Sequence, residues 1–192
     1  TLFRSCVSEA EDILTEIDSK FGDADHGLTM TKIAKAISQA VAEADGGIQS
    51  MLDAAAMAVM MLNGGSAVPL WNTWLDGMQE AAPASDEVDV AGLKAMFAGA
   101  FTALDEMSGA KVGDKTMMDA LIPASEAIAG YTGSDVQGLF TAAAQAAAKG
   151  AEDTKQFVSK FGRAKSYGTK TIGTPDAGAA SMSYFFQGLA QP

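Results

Sequence analysis

The feature that most narrows the fold is the spacing of apolar residues, which keeps a helical repeat along nearly the whole chain. Cys6, Ala10, Ile13, Leu14, Ile17 and Phe21 recur at three- and four-residue steps. That spacing puts one apolar stripe on a helix ending near Lys20. Met30, Ile33, Ile37, Ala40 and Val41 form a second stripe, and Ile48, Leu52, Ala55, Val59 and Leu62 a third. No segment alternates convincingly enough for a strand. Further helices are expected at about 69–82, 90–107, 115–129, 136–150, 152–160 and 176–190. Loop chemistry separates them: Gly22-Asp23, Asp45-Gly46-Gly47, Gly64-Gly65-Ser66, Pro83 to Asp86, Gly130, Gly133-Ser134-Asp135 and Gly173-Thr174-Pro175. Ser134 and Asp135 suit the N-cap of the helix that follows. The expected fold is all-α, about eight antiparallel helices in one domain over residues 1–192.

Composition excludes several classes of partner. The formal net charge is −11, which repels nucleic-acid backbones and anionic membranes. An acidic chain that binds a phosphorylated ligand needs a metal, helix N-termini or local cations to offset the charge. The longest apolar stretch, Ala54 to Leu62, is too short to span a bilayer. No signal peptide is visible, and the lone Cys6 fits a reducing compartment. The expected location is cytoplasmic. Cys6 reads as a small buried hydrophobe on the first helix.

Four blocks carry chemistry. Asp18, Asp23 and Asp25 put three carboxylates within eight residues, followed by His26, the only histidine. Such a cluster repels itself unless a cation sits among the oxygens, and an all-oxygen set suits Mg²⁺ or Ca²⁺. A solvated acidic turn capping the next helix is the competing reading; the EF-hand pattern is absent. Next, Gly64-Gly65-Ser66-Ala67-Val68-Pro69 offers backbone N–H groups and a helix N-terminus to a phosphate, or is simply a turn between helices. It is not a Walker A loop. Val112 to Asp119 is either a helix start capped by Asp114 or Thr116, or a turn set against a nucleotide with Met117 on the base. Finally, Lys155, Lys160, Arg163, Lys165 and Lys170 gather five of the 13 basic residues into one short segment. They form a solvated face or neutralise phosphates, with Arg163 the best placed. The loop from Tyr167 to Gly178 can fold over a ligand as a lid. His26 fits a hydrogen-bond donor to phosphate more simply than a general base, and a Ser66–His26 arrangement stays open.

Read in order, Ile17-Asp18, Gly22-Asp-Ala-Asp-His-Gly27, Gly64-Gly65, Pro69-Leu70, Gly113-Asp-Lys-Thr-Met117, Gly162-Arg-Ala164 and Asp176-Ala-Gly-Ala179 resemble the L subunit of dihydroxyacetone kinases, from about Thr1 to Gln191. The resemblance implies a barrel of eight antiparallel helices with the nucleotide at one end. It assigns Asp18, Asp23 and Asp25 to a pair of Mg²⁺ ions on the phosphates of ADP or ATP. His26, Gly27, Leu28 and Thr29 match the phosphate-contacting turn, and Ser66 and Ala67 fall in the glycine-rich loop. Gly109 and Met117 approximate base-contacting positions. Arg163, Asp176, Ala177 and Gly178 match the lid side of the nucleotide.

The implied activity is phosphoryl transfer to dihydroxyacetone or a related short keto-sugar, held covalently through a histidine of a separate K-type subunit. The chain is then a kinase subunit active only with that partner. In a phosphotransferase-linked system an M-type phosphocarrier protein rephosphorylates the bound ADP. The alternatives are an ATP-dependent kinase subunit or fragment, and a non-catalytic regulatory module; L-type subunits also contact a transcription regulator. The sequence departs from the family pattern at Thr29, usually Asn, at Ser66-Ala67-Val68, usually Ala-Ser-Gly, and at Ala177, usually Pro. Val68 in place of glycine predicts a reshaped phosphate loop.

Overall fold

The computed structural model describes residues 2–192, with side chains from Ser5 onward. Nine α-helices are present among the described residues: α1 (Leu2–Glu9), α2 (Glu11–Ser19), α3 (His26–Glu43), α4 (Ile48–Met60), α5 (Ala67–Glu80), α6 (Val90–Ser108), α7 (Met118–Gly130), α8 (Val136–Asp153) and α9 (Ala177–Leu189). No strand occurs among them. The first expected helix is interrupted only at Ala10, and the i→i−4 bonds Ala10 N–H to Cys6 and Leu14 N–H to Ala10 carry across the break. The nine segments therefore make eight staves.

Each stave packs on the next in sequence, and α9 closes back against α1 and α8. This is a closed ring of antiparallel helices around one core. Trp71, Trp74, Phe97, Phe185 and Phe186 form a continuous aromatic cluster at its centre, edge-on except for the tilted Phe97–Phe186 pair, with Trp74 and Phe186 fully buried. The Ala-rich α8 lies close on α7: a Cβ on Gly150 would stand 2.0 Å from the Asp119 carbonyl oxygen. Asp135 caps α8 by accepting the Gly138 N–H at 2.6 Å. Cys6 is only half-buried, and its sulfur lies 3.0 Å from Gln191 Nε2.

Two expected helices differ. No separate helix spans 152–160: α8 ends at Asp153, a 3₁₀ turn covers Thr154–Gln156, and irregular chain follows. Thr154 turns the chain by bonding other segments; its Oγ1 accepts the Asp176 N–H, and its carbonyl accepts the Lys115 ammonium. The helix expected from 115 begins at Met118 instead, because Lys115 takes a left-handed φ of +62°. Alternate connections of an antiparallel array fall at the same end. The α2–α3, α4–α5, α6–α7 and α8–α9 links are thereby gathered over one mouth of the ring.

Candidate functional site

At that mouth lies a cavity of ≈ 690 Å³ whose walls come from all four links. Its floor is apolar, through Ile17, Leu70 and the core residue Trp71. One part of the wall is acidic. The end of α2 and the turn after it bring one carboxylate oxygen each of Asp18, Asp23 and Asp25 within 4.8 Å of one another. Asp18 is fixed from behind: its Oδ2 accepts the N–H groups of Asp25 at 3.1 Å and His26 at 3.3 Å. Gly22 is required here, since a Cβ would meet Asp18 Oδ1 at 2.0 Å. The donor set is oxygen-only and closely spaced, so these residues fit a hard divalent cation.

His26 opens α3 beside this cluster. Its Nε2 lies 3.1 Å from Ser181 Oγ, whose hydroxyl donates to the Gly178 carbonyl. The imidazole is thus tied to α9 rather than to Ser66. Burial holds its pKa below the ordinary value, against the pull of the neighbouring aspartates. Gly27 and Leu28 do not line the cavity. Gly27 is buried against α2, where a Cβ would stand 2.1 Å from the Glu11 carbonyl oxygen; Leu28 is exposed. Their backbone N–H groups, in the first turn of α3, lack intrahelical acceptors.

The glycine loop runs from Gly64 directly into α5, which begins at Ala67. Val68 lies inside α5 and is buried, so no glycine freedom is needed there. A Cβ on Gly64 would come within 2.8 Å of Thr29 Cγ2 and 2.9 Å of Val68 Cγ2. The departures Thr29 and Val68 therefore both crowd the space that a side chain at Gly64 would need. Ser66 and Ala67 line the cavity at the α5 N-terminus.

The opposite wall is less polar: Met107, Ala110, Thr116, Met117 and Gly178 contribute. Gly109 caps α6 with φ +63° and lies outside the lining. Asp119, buried, accepts the N–H groups of Gly113 at 2.6 Å and Thr116 at 2.7 Å, so it shapes this turn; Thr116 Oγ1 takes the Met118 N–H, while Asp114 does not cap α7 but accepts the Lys111 N–H at 2.8 Å. Asp114 also pairs with Lys160 at 2.6 Å, and that hydrogen bond, with the Lys111 N–H after it, keeps its carboxyl below the usual range.

The basic segment crosses the mouth. A 3₁₀ stretch, Arg163–Thr171, starts after Gly162 (φ +60°) and kinks at Gly168 (φ +56°). Arg163 reaches the acidic wall, Nη1 to Asp23 Oδ2 at 2.8 Å, and Tyr167 packs on Phe21 with ring centroids 5.2 Å apart. Asp176 caps α9 through the Ala179 N–H at 2.8 Å. Burial raises its pKa to about 7, and its remaining surface belongs to the cavity lining. Asp176, Ala177 and Gly178 all line the cavity.

Lys115 and Ser181 line it too and were not singled out from sequence. The sequence signal for Lys115 was a lysine held inside the Gly113–Met117 block. Ser181 carried none, being one small residue within an amphipathic helix.

An all-helical ring with a carboxylate triad, a glycine turn and an arginine strap around one cavity defines the class of fold: a closed antiparallel helical domain with a polar pocket at one mouth. The DAK2 domain model matches residues 20–191, and the chain belongs to that family. It is 31% identical to the ADP-binding DhaL subunit of the PEP-dependent dihydroxyacetone kinase of Escherichia coli, over 95% of this chain and 89% of that subunit. It is 35% identical to a D-erythrulose kinase of Mycolicibacterium smegmatis, over 92% of this chain and 31% of that enzyme. The chain thus spans about a third of that kinase's length. The structure superposes on the dihydroxyacetone kinase of C. freundii, solved with AMP-PNP and Mg²⁺, with a TM-score of 0.73 at 25% identity, covering 98% of this chain and 32% of that one. No helix among the described residues is long and apolar enough to cross a membrane.

Proposed function

We propose that residues 1–192 form one nucleotide-binding domain of a dihydroxyacetone-type kinase, holding Mg²⁺ with ADP or ATP in the cavity at the ring mouth. The single observation that carries this is the placement of the Asp18–Asp23–Asp25 oxygens, Arg163 and the Ser66-Ala67 helix start on one cavity. When bound, Mg²⁺ supplies charge neutralisation for the transferred phosphoryl group. Asp18, Asp23 and Asp25 are its ligands. The free N–H groups of Gly27 and Leu28 and of the α5 start donate to phosphate oxygens, with Thr29 completing that turn. His26, held against α9 through Ser181, lines the phosphate end of the cavity. Arg163 carries charge to the transferring group. Met117, the Gly109 turn and Asp176-Ala177-Gly178 form the nucleoside wall.

The keto-sugar acceptor is held by a separate K-type subunit or domain, in the cytoplasm. With a free-standing L-type chain, an M-type phosphocarrier rephosphorylates ADP that stays bound. The erythrulose-kinase relatives, which this chain matches over a third of their length, favour the second reading: an ATP-exchanging domain of a larger kinase. A transcription-regulator contact belongs to the first arrangement.

Calorimetry with ADP, with and without Mg²⁺, tests the site. Mg²⁺-dependent binding that disappears in Asp23→Ala is the expected result; no binding by the wild-type chain overturns the reading. ADP that survives purification and exchanges slowly points to the phosphocarrier mode, and fast exchange with ATP to the other.

A further inference from the structure

Lys115 is the one buried lysine among the described residues, 4% exposed. Burying an ammonium is costly, and a left-handed φ on a side-chain-bearing residue adds to the cost. A methionine would fill the space more cheaply if only packing mattered. The ammonium donates to two carbonyls, Thr154 and Thr174, each at 2.6 Å. Thr154 follows the last residue of α8, where the helix dipole favours a cation. Thr174 directly precedes Pro175, which opens the Pro175–Gly178 turn. Burial lowers the Lys115 pKa, while Asp176 and Asp119 counter that shift.

One ammonium thus ties together three stretches remote in sequence. The Gly113–Met117 turn carries it, the end of α8 receives it, and the turn before α9 hangs from it. Thr154 doubles the tie, because its Oγ1 takes the Asp176 N–H at 2.9 Å. The consequence is visible across the cavity wall: a Cβ on Gly178 would stand 3.2 Å from Met117 Cβ and 3.3 Å from Met117 N. The two sides of that wall are in contact.

We propose that Lys115 is a positioning residue for the nucleoside half of the site: by holding the Thr154 and Thr174 carbonyls it keeps the Asp176–Gly178 turn against Met117. It acts on the nucleoside wall and not on the Asp18–Asp23–Asp25 metal site. The inference rests on the nucleotide reading above.

Two affinities separate the roles: that of ADP at saturating Mg²⁺, and that of Mg²⁺ at saturating ADP. Lys115→Met is expected to weaken ADP binding by about tenfold or more, since two buried carbonyls lose their donor. The Mg²⁺ half-saturation point should stay within about twofold, and Lys115→Arg, which can still donate to both carbonyls, should recover most of the ADP affinity. An ADP affinity unchanged in Lys115→Met, or an equal loss in both affinities, overturns the proposal. If circular dichroism shows Lys115→Met unfolded, Lys115→Gln decides by the same two affinities: the split supports the proposal, and no loss or a uniform loss overturns it. A wild-type chain that binds no ADP removes the nucleotide reading itself, an outcome distinct from all of these.

Discussion

Arg163 Nη1 lies 2.8 Å from Asp23 Oδ2, so the strap over the cavity is latched to a carboxylate of the proposed metal triad. The guanidinium is 70% exposed and the carboxylate 37%, which places the pair in the weak, solvent-screened class. A weak pair is easily exchanged. A cation among Asp18, Asp23 and Asp25 and the guanidinium on Asp23 draw on the same negative charge, and phosphate is the natural second partner for the released arginine.

Arg163→Gln therefore has opposite effects on two ligands. Without nucleotide, removing the competing cation should tighten Mn²⁺ binding by about two- to fivefold, the worth of an exposed ion pair. Mg²⁺-dependent ADP binding should weaken, because a phosphate loses its donor. Electron paramagnetic resonance of added Mn²⁺ and calorimetry with ADP read the two. A variant that loses metal affinity as well as ADP affinity would show that Arg163 supports the triad instead of competing for it.

The Asp176 carboxyl sets a pH dependence. Its folded pKa is raised from the ordinary 3.8 to about 7 by burial. Between those values the folded chain binds a proton that the unfolded chain has released. Its contribution to stability is complete below about 4 and is lost as pH rises through about 7. Asn caps a helix as well as Asp, so Asp176→Asn keeps the Ala179 bond and removes the titration. Urea unfolding at pH 5 and pH 8 should show the wild type losing about 1 kcal/mol or more relative to Asp176→Asn on going to the higher pH. Parallel pH profiles for the two proteins would mean that Asp176 is ionised throughout.

What could be read from sequence follows how far apart the cooperating residues lie. The staves were legible because their apolar stripes are local. Asp18, Asp23 and Asp25 were legible as a cluster because eight residues contain them all. Arg163 required the family pattern, since nothing local says that residue 163 crosses to residue 23. The 3₁₀ strap and the end of α8 at Asp153 were not legible; Thr154 stops the helix through bonds to Lys115 and Asp176, both remote in sequence. Lys115 has no partner within its own block of sequence, and only the fold shows that its charge points inward. The sequence alone does not say which backbone angles Val68 takes; α5 has already begun at Ala67, so they are helical.

The tight α7–α8 contact at Gly150 yields a prediction that runs against helix propensity. Pro123 lies inside α7 and lacks the N–H that the Asp119 carbonyl would otherwise receive. Gly150 of α8 closes on that same oxygen, so near that a Cβ would sit 2.0 Å from it. In a free helix Gly→Ala stabilises by about 1 kcal/mol. Here the backbone oxygen cannot rotate aside, and overpacking of this kind costs about 1–3 kcal/mol on its own scale. A 2.0 Å contact lies at the severe end, so the clash wins and Gly150→Ala should lower stability by about 1–2 kcal/mol net. The same residue's carboxylate holds the Gly113 and Thr116 N–H groups, which carries the displacement of α7 into the nucleoside wall. Thermal unfolding and ADP titration of Gly150→Ala should therefore fall together, and a variant more stable than wild type would show that α7 and α8 stand further apart than this packing requires.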